Sequence, residues 1–591
     1  MSLVEHLTPE RVATAHRGLV RKALAELSHE RLLVPQPHGP GMWAVAGADP
    51  AVEYTFAARL LPLDHWLVDA GSIRRLERGE ETELDIQRFV LDVNDRLGIG
   101  AGTLPVYLEE LGSTLAGAAY KLRPDAPTAK ELVHADFQTV EAAMTEGHPC
   151  FVACNGRLGF DADDYLRYAP ETGARFRLVW LAVRRAHATV AAARGVEYDA
   201  LIAAELGAQR LDRFTRRLTG LGLDPTEYVL VPAHPWQWAN KLAGVLAGPL
   251  ARHDVVWLGE GDDEHQAQQS IRTMFNTSRP ERPYVKTALS ILNMGFMRGL
   301  SPQYMGPTPA INDWVADLVA GDETLRRQRF SVLREVAAAG FHHRLYEDVS
   351  LSTPYTKMLS ALFRESPVDQ VEEGERLATM ASLLHVDAGG RAVVAELVAQ
   401  SGLAPDSWLR NYLEAYLVPL LHCFYAHALV FMPHGENVIL VLRDHVPVRV
   451  LMKDIGEEVA VLDTDAEMPE EIRRVVADVP EDLHVLSLLT DVVDCFLRFL
   501  SARFEEAGLL DADRFWQVVA VCVSAYQARH PELAEGFARH DLFVERFPLS
   551  CLNRLQLRNN QEMVDIADPA SALAIAGELD NPLARAVRAR P

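Results

Sequence analysis

The sequence predicts an α+β chain in which helix predominates. Long stretches with apolar side chains at helical spacing are interspersed with short runs rich in β-branched residues. Residues 361–378 are polar and acidic, which is typical of a surface connection between domains. With 591 residues, of which 49% are hydrophobic, the chain is long enough for roughly two to four domains.

Helical spacing predicts that the first 130 residues are mainly helical. Thr8 and Pro9 form a start signal, because threonine caps free backbone N–H groups and proline suits the first turn. The predicted helices are 9–33, 84–122 with glycine-rich breaks, 407–431 interrupted at Pro419, 485–500 and 514–528. The alanine-rich tail from about residue 570 is predicted to fray.

Short β-branched runs predict the strands. Residues 176–185 fit either a strand or a buried helix, because periodicity does not separate the two. Residues 437–454 indicate a hairpin, since two apolar runs flank the turn-like sequence Asp-His-Val-Pro. The other predicted strands are 150–160, 227–236, 254–258 and 284–292.

Composition excludes several classes of protein. The net charge of −24 argues against binding to nucleic acid or to an anionic membrane surface. The apolar runs are far shorter than the roughly 20 residues that cross a bilayer, and the N-terminus has no signal-peptide core. Six cysteines without a CxxC pair indicate reduced thiols, so we expect a cytoplasmic protein. Cys150, Cys154 and His148 are a weak metal pattern, and buried thiols are the favoured interpretation.

The segment 270–300 gathers positive charge in apolar surroundings. It holds five cations and one acid, Glu281, for a net charge of +4. Either acids elsewhere in the chain pair with these cations, or the cations bind an anionic ligand, which the apolar surroundings favour. The cations are Arg272, Arg279, Arg282, Lys286 and Arg298, of which Arg279 and Arg282 are interpreted as surface charges.

Two other segments each allow two interpretations. In 146–160, His148 and Arg157 flank the pair Asn155-Gly156, which predicts either a phosphate cradle or a hairpin turn with a surface arginine. In 231–238, His234 and two tryptophans could stack on a base, but a packed corner is favoured.

The hairpin predicts a magnesium site. Asn437 precedes the first strand and Asp454 follows the second, so a hairpin brings them side by side. Amide and carboxylate oxygens suit Mg²⁺, and His434 could contact a reacting carboxylate or phosphate. The sequence lacks GxxxxGK[ST], a GxGxxG after a strand, HExxH and GxSxG, so side chains would have to hold any nucleotide. Together these segments predict a site for Mg-ATP and a second, carboxylate ligand.

Four segments (146–160, 231–238, 268–300 and 434–458) occur in the order seen in NRPS-independent siderophore (NIS) synthetases, the aerobactin-synthetase-like (IucA/IucC) family. The resemblance covers at least residues 130–460. The Asn-Gly-Arg form of the first segment and the SPQYM sequence after the third are most similar to the desferrioxamine and alcaligin synthetase branch.

The resemblance implies an ATP-dependent ligase. Such an enzyme adenylates a carboxylate, here of a succinylated hydroxamate, and an amine then displaces AMP to form an amide. The resemblance also implies a homodimer and a cupped-hand architecture with antiparallel sheets. Its three subdomains would be a thumb (1–165), fingers (166–378) and a palm (379–591).

The resemblance further implies a role for each matched residue. Lys286 would lie at the α-phosphate, Arg298 and His434 would orient the substrate carboxylate, and Asn437 and Asp454 would bind Mg²⁺. The ATP-binding residues would be His148, Asn155, Gly156, Arg157, Ser270, Arg272, Thr273 and Lys286.

One position departs from the family pattern. Some relatives carry an acid where this chain has Met432, so Glu436 or Glu457 would have to substitute as an acidic metal ligand.

Two other functions stay open from the sequence. The HGEN and KDIG segments loosely resemble the catalytic loop of kinase-like phosphotransferases, although the base and the glycine-rich loop are missing. The second is a non-catalytic protein that binds a nucleotide or a siderophore.

Overall fold

The computed structural model describes residues 3–144, 147–351, 353–558 and 574–588. Helices and mainly antiparallel sheets alternate along the chain, which confirms the helix-rich α+β class. Within these ranges, no helix is both long and apolar enough to cross a membrane. All six cysteines lie in the described part of the chain, and they are buried and free.

The strands are β1 (Gln36–Gly39), β2 (Met42–Ala46), β3 (Val52–Leu61), β4 (His65–Val68), β5 (Arg74–Glu77), β6 (Glu80–Thr82), β7 (Phe176–Arg184), β8 (Ala188–Ala192), β9 (Tyr228–Ala233), β10 (Val255–Ala267), β11 (Thr273–Asn276), β12 (Tyr284–Thr287), β13 (Leu292–Asn293), β14 (Phe296–Met297), β15 (Ser331–Val332), β16 (Glu335–Phe341), β17 (Ser360–Arg364), β18 (Glu375–Thr379), β19 (Leu429–Val430), β20 (Val438–Arg443), β21 (Val446–Met452), β22 (Ala460–Val461), β23 (Arg546–Ser550) and β24 (Ile575–Asp580).

The α-helices are α1 (Pro9–His29), α2 (Ile86–Asp92), α3 (Asn94–Leu97), α4 (Leu104–Lys121), α5 (Ala129–Leu132), α6 (Phe137–Ala143), α7 (Ala162–Tyr168), α8 (Tyr198–Gly220), α9 (Pro235–Gln237), α10 (Ala243–Val245), α11 (Ala247–Ala251), α12 (Pro302–Met305), α13 (Thr308–Gly321), α14 (Glu323–Arg327), α15 (Arg344–Glu347), α16 (Val393–Ser401), α17 (Pro405–His427), α18 (Ile455–Glu458), α19 (Leu486–Leu488), α20 (Arg498–Glu506), α21 (Ala512–Arg529), α22 (Ala534–Arg539), α23 (Leu552–Arg558) and α24 (Pro582–Arg588). Two π-helical segments are Trp238–Leu242 and Leu489–Leu497.

The N-terminal region is less helical than the sequence predicts. The start of α1 is confirmed, because the Thr8 side chain accepts a hydrogen bond from the Arg11 N–H. Between α1 and α2, however, strands β1–β6 form an antiparallel sheet, so the prediction of a mainly helical segment is wrong there. These strands are mostly short, and β1 is exposed along its length, so they carry no clear alternation of apolar residues.

A large sheet occupies the middle of the chain. In the described residues it has eight strands, in the order β8-β16-β17-β12-β11-β10-β7-β9. The ambiguous segment 176–185 is strand β7, and the strands predicted at 227–236 and 254–258 are confirmed. The strand predicted at 284–292 ends at Thr287, and the described part of 150–160 contains no strand.

The acidic segment 361–378 is a surface connection only in its middle, where residues 365–374 lie outside the strands and are mostly at least partly exposed. It begins in strand β17 and ends in strand β18, and both β17 and most of β18 are buried. Glu375 accepts a hydrogen bond of 2.7 Å from Arg449, so this acid is paired within the fold. From the sequence alone such acids are expected to be solvated, because their cationic partners are distant along the chain.

The C-terminal third contains the predicted hairpin. Strands β20 and β21 pair in antiparallel register, and Asp444 and His445 form the turn with positive φ angles of 50° and 63°. Together with β15 and β18 they form a sheet in the order β15-β21-β20-β18, in which only the β15–β21 pairing is parallel.

Three helix predictions in this region need comment. Helix α17 continues through Pro419 without interruption, because its buried face packs against α21 and β21 and compensates for the lost hydrogen bond. The helix predicted at 485–500 is helical but has a π-helical centre, and that at 514–528 is confirmed as α21. Residues 574–588 of the tail do not fray: β24 pairs with β23, and α24 packs against α21.

The division into thumb, fingers and palm stays a prediction. Separate hydrophobic clusters lie around the N-terminal sheet, the eight-stranded sheet and the C-terminal helices. Residues 165 and 378, the predicted boundaries, lie inside α7 and β18.

Candidate active site

A buried lysine on the central sheet faces the end of the hairpin. Lys286 on β12 donates a hydrogen bond of 2.8 Å to Asp454 and a second one to Glu457. The Lys286 side chain is only 5% exposed. Burial alone would lower the pKa of Lys286, but the two carboxylates raise it above its usual range. Lys286 is therefore a fixed positive charge.

The hairpin places the carboxylates. Strand β21 ends at Met452, which pairs with Val438, and the Lys453 N–H donates to the Asn437 carbonyl at 3.0 Å. The predicted proximity of Asn437 and Asp454 is thereby explained. Asp454 itself has a left-handed backbone with φ 60°, a strained conformation that concentrates at functional sites.

Two arginines complete the ion-pair cluster. Arg272 donates to Glu457 at 3.1 Å, and Arg364 on β17 lies 3.4 Å from both oxygens of Asp454. Burial opposes ionisation of Asp454, but Lys286 and Arg364 hold the pKa of this carboxyl well below its usual range. Of the two interpretations of the 270–300 cations, pairing with distant acids thus holds for Arg272 and Lys286.

Sequence reasoning missed Arg364. It lies directly opposite Tyr284 in the β12–β17 pairing, two positions from Lys286, and therefore reaches the same face of the sheet. No motif marks Arg364 in the sequence, because it lies in the segment 361–378 that is predicted to be a surface connection. Glu458 was also missed, although it adjoins Glu457 in sequence.

Of the five cations in 270–300, Arg298 is the one that has no acid partner among the described residues. Its guanidinium donates to the Asn293 side chain at 2.7 Å, and its Nε is buried without a hydrogen-bond partner among the described residues. It forms no ion pair in the part of the chain that the structure describes. Burial and the charge of Arg272 lower the pKa of Arg298 to about 10, which is still high enough to keep it charged.

Two histidines line a small cavity beside this cluster. His434 and His148 are in contact edge to face, with ring centroids 5.2 Å apart, and both border the cavity. Burial lowers the pKa of each imidazole, so both are neutral near pH 7. Gly435 brings the His434 loop close to a neighbouring chain segment, because a Cβ there would lie 2.9 Å from the Ala381 Cα.

Asn437 contacts a further acid. Its amide nitrogen donates to the Met432 carbonyl at 3.0 Å and also to Glu458. Burial and the charge of Asp454 raise the pKa of Glu458 to about 8. Met432, at the position of the missing family acid, thus contributes a backbone oxygen, while Glu457 supplies a carboxylate nearby and Glu458 a carboxyl group that is mostly protonated near pH 7.

The remaining predicted ATP residues fall into two groups. Thr273 on β11 is directly opposite Lys286, and Ser270 lies in the tight turn before it, where Arg272 N–H donates to the Ser270 carbonyl at 2.7 Å. Asn155 and Gly156 lie in a buried loop and not in a hairpin turn, and the Gly156 carbonyl accepts from Asn293 at 2.7 Å.

Arg157 is committed to a buried ion pair. Its guanidinium donates to both oxygens of Glu171, at 2.7 and 2.8 Å, and both side chains are almost fully buried. The alternative of a surface arginine is therefore wrong. Its predicted contact with phosphates stays a prediction, and such a contact would require Arg157 to leave Glu171.

Other interpretations are also resolved. The 231–238 segment is a packed corner: Trp236 is buried and donates to Asp164 at 2.8 Å. Arg279 is not a free surface charge, because it donates to Asp263 at 2.8 Å, and Arg282 lies 4.0 Å from Glu205.

Comparison with known proteins identifies the class. A family model described as the IucA / IucC family matches residues 136–385, and one described as a ferric iron reductase FhuF-like transporter matches residues 406–565. The putrebactin synthase of Shewanella sp. (strain MR-4) is 48% identical over 98% of this chain and 92% of its own length. The chain belongs to the IucA / IucC family.

Solved structures agree with this assignment. The aerobactin synthetase IucC from a hypervirulent pathotype of Klebsiella pneumoniae is 27% identical, with a TM-score of 0.86 over 98% of this chain and 100% of that one. The ATP-bound aerobactin synthetase IucA from the same pathotype shares the fold at 17% identity and a TM-score of 0.75, over 96% of this chain and 99% of that one. The resemblance to NIS synthetases is confirmed, and the narrower desferrioxamine and alcaligin branch stays a prediction.

Proposed function

We propose that this protein is an ATP-dependent siderophore synthetase that joins a carboxylate to an amine through an acyl-adenylate. The observation that carries the proposal is Arg298, a charged, half-buried guanidinium that forms no ion pair in the described residues and whose Nε is buried without a partner there. A partly desolvated charge without a counter-ion is costly, so this position favours an anionic ligand. A substrate carboxylate held by Arg298 would lie beside His434. The charge of Arg298 is close enough to His434 to help lower the pKa of its imidazole.

The neighbouring cations suit the phosphates of ATP. Lys286 and Arg364 lie on one face of the sheet and Arg272 immediately precedes β11, and each is paired with Asp454 or Glu457. Triphosphate oxygens would compete for these cations, and Ser270 and Thr273 would add hydroxyl donors close to them. The ATP in a solved structure of the same fold supports ATP as the second substrate.

The reaction needs two displacements. A carboxylate oxygen attacks the α-phosphorus, the bond to the β-phosphate oxygen breaks, and pyrophosphate leaves. The amine nitrogen then attacks the acyl carbon, AMP leaves, and the amine loses a proton as the amide forms. Fixed cations at Lys286 and Arg298 would reduce the repulsion between the two anionic reactants in the first step and would stabilise the charge that develops there.

The donor set around the hairpin fits Mg²⁺. Asn437, Asp454, Glu457 and Glu458 provide amide and carboxylate oxygens, which are the ligands this hard cation prefers. We propose Asn437 and Asp454 as ligands, with Glu458 as the nearest further acid. When bound, Mg²⁺ would neutralise phosphate charge.

The substrate class is inferred from related proteins. One relative that aligns over nearly the whole chain is a putrebactin synthase, and the sequence resembles enzymes that use succinylated hydroxamates. We propose a succinyl-hydroxamate carboxylate and a hydroxydiamine amine. A homodimeric assembly and a cytoplasmic location stay predictions from the sequence.

Product analysis tests the proposal against both alternatives. Purified protein is incubated with Mg-ATP and N-hydroxy-N-succinyl diamines of graded chain length, with citrate as a comparison carboxylate. We expect AMP, pyrophosphate and an amide product identified by mass. ADP with a phosphorylated substrate would support the kinase-like alternative, and ATP binding without pyrophosphate release from any substrate would support the binding protein.

A further inference from the structure

A second cluster of metal-ligand side chains lies outside the proposed active site. Asp322 connects α13 to α14, and His422 and His427 are in the last turns of α17. The Nε2 atoms of both histidines lie 3.0 Å from the same carboxylate oxygen, Oδ2 of Asp322. One ligand atom from each residue lies within 4.8 Å of the others. The three residues come together only through tertiary folding, since Asp322 is 100 residues from His422 in the chain.

We propose that Asp322, His422 and His427 bind one divalent transition-metal ion, of the Zn²⁺ or Co²⁺ type. Two imidazole nitrogens and one carboxylate oxygen are a donor set that suits these ions, whereas Mg²⁺ and Ca²⁺ prefer oxygen ligands alone. A tetrahedral ion with ligand bonds near 2.0–2.1 Å separates its ligand atoms by roughly 3.3 Å, which is close to the 3.0 Å between each histidine Nε2 and Oδ2 of Asp322.

The surroundings also resemble those of a metal site. The second ring nitrogen of His422, Nδ1, lies 3.1 Å from the Tyr526 hydroxyl, and an outer partner of this kind orients a ligating histidine. His422 is nearly buried, but the side chains of His427 and Asp322 are 26% and 15% exposed. An ion can therefore enter, and water can occupy its fourth position.

The alternative is a hydrogen-bonded cluster without metal. In that arrangement both histidines donate Nε2–H to Asp322, whose other oxygen already caps α14 by accepting from the Leu325 N–H at 2.9 Å. Burial raises the pKa of Asp322, but the Leu325 N–H and the two histidines lower it to about 2, so the carboxylate is charged in either arrangement. Only the metal arrangement requires both Nε2 atoms to be free of protons.

The position suggests what the ion would stabilise. It would join the first turn of α14 to the last turns of α17, and α17 leads through Ala428 and β19 to the loop that carries His434. Tyr416 of the same helix also donates to the Pro433 carbonyl at 2.7 Å, so α17 already supports this loop. The ion would hold α14 and α17 together near the active site and would take no part in the reaction.

Cobalt provides a direct test on the wild-type protein. The full chain is treated with a chelator, freed of it, and titrated with Co²⁺ in the presence of excess Mg²⁺, which occupies the oxygen-rich site. We expect one Co²⁺ per chain with the visible absorption of a four-coordinate nitrogen and oxygen site, displaced by one equivalent of Zn²⁺. No bound Co²⁺, or only the weak spectrum of six-coordinate oxygen ligation, would overturn the proposal.

Variants locate the ion. His427→Gln removes one ligand, and Asp322→Asn removes a second while keeping an oxygen that can cap α14. Each is expected to weaken Co²⁺ binding by at least about tenfold, as the loss of even an outer partner does in such sites. His484→Gln, at a half-buried histidine outside the cluster, is the matched control and should bind as the wild type does. Equal binding by all three variants would also overturn the proposal, and the wild-type spectrum decides if a variant fails to fold.

Discussion

Lys286 and Asp454 are 168 residues apart in sequence and 2.8 Å apart in space. The lysine lies in the central sheet and the aspartate at the end of the C-terminal hairpin. This ion pair therefore joins the part of the chain that carries the cations to the part that carries the acids.

Replacing Lys286 should separate binding from turnover. In Lys286→Ala we expect pyrophosphate release to fall by at least about 100-fold, the loss typical of one electrostatic group at a reacting centre. ATP binding should remain measurable by calorimetry, because Arg272 and Arg364 stay in place. The free energy of unfolding should fall by about 1–3 kcal/mol. This is less than for a buried acid that loses every cationic partner, since Arg364 still pairs with Asp454.

Lys241→Ala, which removes an exposed cation, is the control. Unchanged turnover in Lys286→Ala would contradict the proposed role.

Arg298 should determine affinity for the carboxylate substrate. Arg298→Lys keeps the charge but loses the forked donors, so we expect kcat/KM for the carboxylate to fall by about tenfold or more. The ATP Kd should change by less than about threefold, because the carboxylate and phosphate groups bind at different cations. Steady-state kinetics at saturating ATP and titration of ATP alone measure the two effects. A larger loss for ATP than for the carboxylate would reassign Arg298 to the phosphates.

The Arg157–Glu171 pair tests whether Arg157 is structural. Removing one member, as in Arg157→Leu, leaves the other charge buried and should reduce the free energy of unfolding by about 3–5 kcal/mol. The double variant Arg157→Leu with Glu171→Leu should recover part of that loss. Denaturant titration measures both, with the exposed pair Arg216 and Asp212 as a control in which Arg216→Ala costs less than about 1 kcal/mol. Weakened ATP binding in a fully stable Arg157→Leu variant would instead favour the phosphate role.

Acid should destabilise the protein through His234. Burial lowers the pKa of this imidazole from 6.5 to about 3. In the unfolded chain it gains a proton below pH 6.5, whereas in the folded chain it stays neutral until about pH 3, so its effect on stability grows more unfavourable as pH falls between these values. At pH 5 the difference is about 2 kcal/mol. His234→Asn keeps a side-chain acceptor for the Trp236 N–H and should lose less stability between pH 7 and 5. Parallel pH profiles for the two proteins would disprove this.

Local patterns were predicted well where they depend on neighbouring residues. The Thr8 cap, the 437–454 hairpin and helix α21 follow from capping, turn and spacing rules that act within one element. The sequence also predicted that some candidate site residues lie together, because Asn437 and Asp454 belong to one hairpin, and Thr273 and Lys286 belong to neighbouring strands; their roles stay predictions.

Predictions failed where distant residues decide the outcome. The acids near Glu375 were expected to be solvated, but Arg449 pairs with one of them. Pro419 was expected to interrupt its helix, but α17 continues through it and packs against α21 and β21. Strands β1–β6 were not predicted, because most of them are short and are stabilised by pairing with one another, which periodicity along the chain does not report.

The sequence by itself determined the α+β class and the resemblance to siderophore synthetases, because these depend on residue types and short spacings. Only the tertiary structure decided which charges are neutralised. It paired Lys286 with Asp454 and Arg157 with Glu171, brought Arg364 to the cluster, and left Arg298 without an acid among the described residues. Ion pairing acts over a few ångströms of space and is independent of separation along the chain, so only the folded arrangement reveals it.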